Sequence, residues 1–188
     1  MCILGQNYSI TAKCKERGGI SRLLLMTGAT FRAATWTTGT GLTRGQITAV
    51  ATLPATSVVE LSLDNGQTNT VVATKDAASN VYAVTITATR RGLGLDNFLI
   101  AYDLTDCCDL VAVVVEGDGN YSLYGVQDAA TKDVVGFQMG HEKNAGENNT
   151  TTPLNTYTLS FAEGSGTTAE AYRLTQSVFN DIVAAKVA

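Results

Sequence analysis

His141 is the single histidine of the chain, and it stands among glycine, asparagine and charged residues. A catalytic triad or a histidine-based metal site needs positioned partners, and none is spaced around it. Asp103, Asp106 and Asp109 cluster, and paired carboxylates can hydrolyse glycosides or hold calcium. Their spacing does not match a helix–loop–helix calcium loop. Residues 116–120, Glu-Gly-Asp-Gly-Asn, have acids beside glycines, which is also how a tight hairpin turn reads. The glycine-rich stretch 39–45 lacks the Lys-Ser/Thr ending of a phosphate loop. Cys2, Cys14, Cys107 and Cys108 lack metal-ligand spacing, and a bond between adjacent Cys107 and Cys108 would strain the backbone. They are expected as free thiols. Trp36, Tyr121 and Tyr124 could form a sugar platform or belong to a core. The glycosylation sequons at residues 148–151 matter only on a secretory route. The expectation is no catalytic residue, no cofactor and no metal.

The bulk composition points to architecture. Hydrophobic residues make up 45% of the 188, enough for a real core, while charged residues are only 16%, below the usual quarter. Threonine and glycine fill the deficit, favouring strands and turns. A surface so poor in charge suits burial against other subunits. The net charge of −4 argues against wrapping nucleic acid, yet suits a wall past which nucleic acid slides without sticking. Residues 1–19 do not read as a signal peptide, and no apolar run approaches the roughly 20 residues that span a bilayer, so no membrane partner is expected.

In chain order, residues 8–13 and 20–26 read as strands, 35–43 as a Thr/Gly loop, and 47–53 as a strand ended by Pro54. Residues 57–63 and 68–74 flank Asn65-Gly66, a strong hairpin signal, and 81–90 alternates over a full strand. This predicted meander, 57–90, has no charged face and would aggregate if left exposed. Its candidate subunit-interface positions are Val58, Val59, Leu61, Leu63, Val71, Val72, Val81, Tyr82, Val84 and Ile86. Leu95, Phe98, Leu99 and Tyr102 fall at helical spacing, so a flanking helix is expected at about 95–107. Residues 110–115 are a continuous apolar run, hence a buried strand, paired back by 121–125. Residues 140–153 read as the longest loop, and 154–162 as a strand. From 172 the period changes: Leu174, Val178, Phe179, Ile182 and Val183 form an apolar stripe, predicting a docking helix over about 172–186.

The expected fold is mainly β, a sandwich or barrel with one flanking helix, a long meander and a C-terminal helix. Residues 1–171 would form the β domain and 172–188 a helical extension.

Some of these motifs, in this order, resemble a known family. Cys14-Lys15-Glu16-Arg17-Gly18-Gly19-Ile20, the run 110–115 behind a central helix, Gly119-Asn120-Tyr121-Ser122-Leu123-Tyr124-Gly125, and Tyr157-Thr158-Leu159-Ser160-Phe161 resemble small virion proteins of tailed bacteriophages, of the tail-tube type. The likeness spans most of residues 8–162. The loop at 140–153 and the C-terminal helix are additions to that pattern. The resemblance implies a virion structural subunit, assembled in the host cytoplasm. It would form rings, hexameric in the family, that stack into a tube. Strands from each subunit would join into a barrel lining a DNA channel, in contact with other virion proteins. A neck or connector ring, a capsid decoration protein and a carbohydrate-binding β-sandwich are the alternatives.

Overall fold

A continuous apolar run in a strand needs cover on both faces, and two such runs, residues 23–26 and 110–115, organise the molecule. The computed structural model describes residues 19–43, 45–61, 63, 69–91, 109–144 and 154–187. Strand β1 (Ile20–Thr27) runs into a short helix, α1 (Gly28–Ala33). The chain continues through β2 (Thr35–Thr38), β3 (Gln46–Ala51), β4 (Val59–Leu61), β5 (Thr70–Lys75) and β6 (Tyr82–Arg91). Then come β7 (Leu110–Glu116), β8 (Tyr121–Tyr124), β9 (Val126–Asp128), β10 (Asp133–Val134), β11 (Gln138–Asn144), β12 (Leu154–Ser160), β13 (Tyr172–Leu174) and α2 (Gln176–Ala184).

The main layers are a seven-stranded sheet, ordered β2-β3-β13-β8-β7-β1-β4, and a four-stranded sheet, ordered β11-β12-β6-β5. The apolar runs of β1 and β7 lie side by side in the larger sheet, antiparallel, with Leu24 opposite Val113. Leu23, Leu25, Leu110, Ala112 and Val114 face the smaller sheet and meet Val84, Ile86, Tyr157 and Leu159 there. Leu24, Met26, Val111 and Val113 face the other way, onto Phe31 of α1 and Val178, Phe179 and Ile182 of α2. Each fully buried side chain of this size contributes about 1.5–3 kcal/mol relative to exposure. The arrangement is a β-sandwich with helices on the outer face of its larger sheet, as the composition and periodicity lead one to expect.

Four expectations need correction. The meander is not continuous. β5 and β6 do pair, with Val72 opposite Thr85, but β4 pairs with β1 in the other sheet. The Asn65-Gly66 hairpin signal therefore lies in a crossover between sheets; residues 64–68 themselves fall outside the described set. Stretch 35–43 begins with a strand, β2, antiparallel to β3, because Trp36 finds a buried place and the threonines alternate outward. Residues 140–144 belong to β11 rather than a loop, since each pairs with a residue of β12. The C-terminal helix starts at Gln176 and not at 172: Tyr172–Leu174 inserts into the larger sheet between β3 and β8, and the Thr175 side chain caps the helix by accepting from the Val178 N–H at 3.4 Å. The C-terminal segment is thus woven into the sheet and the core. The strand expected at 8–13, the flanking helix expected at 95–107 and all of the cysteines lie outside the described residues.

Opposite charges tie the end of the chain down. The Glu60 carboxylate on β4 accepts from Arg22 Nε at 2.6 Å and Lys186 Nζ at 2.9 Å. The Arg22 hydrogen bond is the main reason its carboxyl is pulled down to about 2, with Lys186 adding to it. A carboxyl depressed on folding stabilises the fold above its ordinary value of 4.5, and that stabilisation fades as pH falls through about 2. With both cations partly open to solvent, on the order of 1–2 kcal/mol is at stake. Glu60→Gln is expected to lower stability by that amount at pH 7. Urea melts of parent and variant should converge as pH falls from about 4.5 to about 2.

Candidate assembly surface

Among the described residues, most of the candidates singled out in the sequence have structural partners. Trp36 is buried, stacks on Phe31 with ring centres 4.6 Å apart, and donates its indole N–H to the Phe31 carbonyl at 2.8 Å. Tyr124 is buried in the core between the sheets, and Tyr121 stacks on Phe179 at 4.2 Å. An exposed aromatic platform of these side chains does not exist, so a sugar-binding reading loses the feature that suggested it. His141 sits on β11, half-buried, with its ring 5.0 Å from that of Tyr157. Asp109 pairs with Arg32 at 2.8 Å; Asp103 and Asp106 lie outside the described residues. Residues 116–120 form the β7–β8 turn, closed by Glu116 N–H to the Asn120 carbonyl at 2.9 Å.

One polar cluster remains, beside a cleft of about 460 Å³ between β5 and the larger sheet. The Glu116 carboxylate accepts from Ser122 Oγ at 2.6 Å, from Tyr124 OH at 3.3 Å and from Arg173 Nη1 at 2.9 Å. Ser122 Oγ in turn accepts from Arg173 Nη1 at 2.7 Å. Burial, helped by the Glu116 charge, pushes the Tyr124 phenol up to about 12, so it stays protonated and cannot serve as a base. The Ser122 hydroxyl donates to the Glu116 carboxylate, which Arg173 holds in turn. The cluster is a brace joining β7, β8 and β13.

No protein-family model, no curated protein and no solved structure matches this chain. The surface must therefore be read from its own geometry, and the outer face of the four-stranded sheet leaves Val72, Thr74, Thr85, Gln138 and Glu142 exposed among the described residues. Its inner face carries Val84, Ile86, Ala88, Tyr157, Leu159 and Met139. Its outer face carries hydroxyls in cross-strand rows. Val72, Thr85, Ser160 and Gln138 form one row, and Thr70, Thr87, Thr158 and Gly140 the next. Neither of these rows holds a charge; the next row on the same face, Thr89, Thr156 and Glu142, ends on an exposed carboxylate.

The edge strand β5 has a definite polarity. Asp76 N–H donates to the Val81 carbonyl at 2.9 Å, and Tyr82 exchanges both backbone bonds with Thr167, on its side away from β5. Alternation along an antiparallel ladder then turns the backbone groups of Thr70, Val72 and Thr74 toward β6. Those of Val71, Ala73 and Lys75 face out of the sheet. β11 is the opposite edge.

The sequence-predicted interface positions divide accordingly. Val58, Leu61, Val84 and Ile86 are buried in the chain's own core. Val71, Tyr82 and Leu63 pack partly against the inter-sheet core, and Val59 and Val81 are half-buried. Val72 alone of these is a large apolar side chain left open, 56% exposed. A subunit contact here would use the backbone edge and the outer face. In the expected docking helix, Val178, Phe179 and Ile182 are buried with Leu174 against the chain's own sheet, and Val183 packs partly there; the stripe docks within the chain. The edge polarity of β5 was not legible in sequence, because it depends on which strand lies on which side.

Proposed function

We propose that this chain is a structural subunit of a virion that assembles into rings, which stack into a tube around a nucleic-acid channel. The observation that carries the reading is the four-stranded sheet, with its β5 edge and a hydroxyl-rich outer face on which Glu142 adds a negative charge. All its neighbouring strands are antiparallel. A ring repeats each subunit by rotation, so β11 of one copy meets β5 of the next in the antiparallel sense. The strands alternate in direction, so the junction continues that alternation and a closed barrel has no edge left to aggregate. The hydroxyl face would then line the lumen. Threonines give it hydration without the positive charge that grips phosphates, so DNA could pass without specific contact. The motif resemblance to tail-tube proteins supports the same reading.

Electron micrographs of the concentrated, purified chain test it. Closed rings or stacked tubes of uniform diameter are expected. Isolated, ring-free copies across the concentration range would remove the proposal, and single rings that never stack would favour a neck ring.

A further inference from the structure

The other sheet also ends in a strand, β4, and here the chain lays its own C-terminal segment along the edge. Ser57 and Val58 N–H both donate to the Ala185 carbonyl, at 3.0 and 3.3 Å. Val187 N–H returns to the Val58 carbonyl at 2.8 Å, making a parallel bridge between Val58 and Lys186. Lys186 then reaches over to Glu60, the next residue whose backbone faces the same way as Val58. Val187 is exposed, so its side chain adds little to the core. Ala185 is buried in the core at the end of α2, and beyond it Lys186 and Val187 contribute backbone bonds and one ion pair at a strand edge.

We infer that residues 185–187 are a strap that withholds the β4 edge from pairing with a second copy of the chain. An open edge is a template for another strand. A second pairing edge beside β5 would give each subunit two unrelated junctions, and assemblies built so branch instead of closing. The guard's benefit against branching rests on the ring proposal, while the strap itself concerns the other sheet and is read separately by exchange at Ser57 and Val58.

Two full-chain variants test it. Val187→Pro removes the N–H that bonds Val58 without touching a buried side chain, and Lys186→Glu turns the Glu60 attraction into repulsion. In either, amide hydrogen exchange at Ser57 and Val58 is expected to rise about tenfold or more, with α2 amides unchanged. In chains that also carry Ala73→Pro, which disables the β5 edge, concentration-dependent association followed by sedimentation is expected to appear, against an Ala73→Pro control that shows none. Unchanged exchange at Ser57 and Val58 overturns the strap. Faster exchange without new association overturns its role as an edge guard. Association that vanishes with Ala73→Pro assigns the effect to β5 and also overturns it. If Val187→Pro does not fold, Lys186→Glu alone gives the same readings.

Discussion

Under the proposed ring assembly, Ala73→Pro is expected to leave a folded monomer. The residue lies in the middle of β5, and its N–H points out of the sheet, so proline removes no bond to β6. Strand edges are where proline is tolerated, and the folded monomer should change in stability by no more than about 1 kcal/mol. At a subunit junction the same change deletes a donor and leaves the facing carbonyl unpaired, at about 1–3 kcal/mol for each junction. A closed ring repeats that loss at every junction, so assembly should disappear over the working concentration range. Sedimentation velocity and electron microscopy read the assembly, and a thermal melt reads the fold. Rings of normal diameter from a folded Ala73→Pro chain would show that β5 does not form the junction.

Gly136→Ala is expected to be among the most damaging single changes. Gly136 has φ +69°, a left-handed conformation. A methyl group there would stand 2.5 Å from Asp109 Cα and 2.9 Å from its carbonyl carbon. Neither can move easily. Gly28 N–H donates to the Asp109 carbonyl at 2.7 Å, and the next residue, Leu110, exchanges two bonds with Phe137 at 3.0 and 2.7 Å. Gly136 itself donates to the Gly125 carbonyl at 3.0 Å. Strain and backbone collision together should cost about 3–5 kcal/mol, a large share of the stability of a domain this size. Chemical denaturation measures it. A loss under about 1 kcal/mol would mean that this corner yields more readily than the contacts imply.

Much of the architecture follows from local pattern. The run 110–115 reads as a strand covered on both faces, and it is one, because no side chain in it can face water without loss. The alternation in 81–90 marks Val84, Ile86 and Ala88 as one face, and that face is buried. The stripe Val178, Phe179 and Ile182 marks the C-terminal helix. Pattern misled where local preference met a stronger long-range demand. Asn65-Gly66 suits a hairpin, but the strands around it bury more by joining different sheets. Tyr172–Leu174 carries an apolar residue in phase with the helix, yet the gap between β3 and β8 takes it as a strand. The helix Gly28–Ala33 carries no periodicity long enough to announce it; the Thr27 side chain accepting from Thr30 N–H at 3.1 Å is its one local signal.

The amino-acid sequence by itself determined the class of the molecule: a β-rich, weakly charged chain with one apolar strand covered on both faces and a terminal amphipathic helix. These are properties of residue type and spacing, and short-range physics is enough to read them. Only the tertiary structure decided which edges stay open. A strand's outward N–H groups, its cross-strand rows of hydroxyls and the strap beside β4 depend on partners distant in the sequence: Thr85 for Val72, Lys186 for Glu60. Sheet order sets those partners, and sheet order comes from burying the whole apolar surface at once, which no local stretch of sequence encodes.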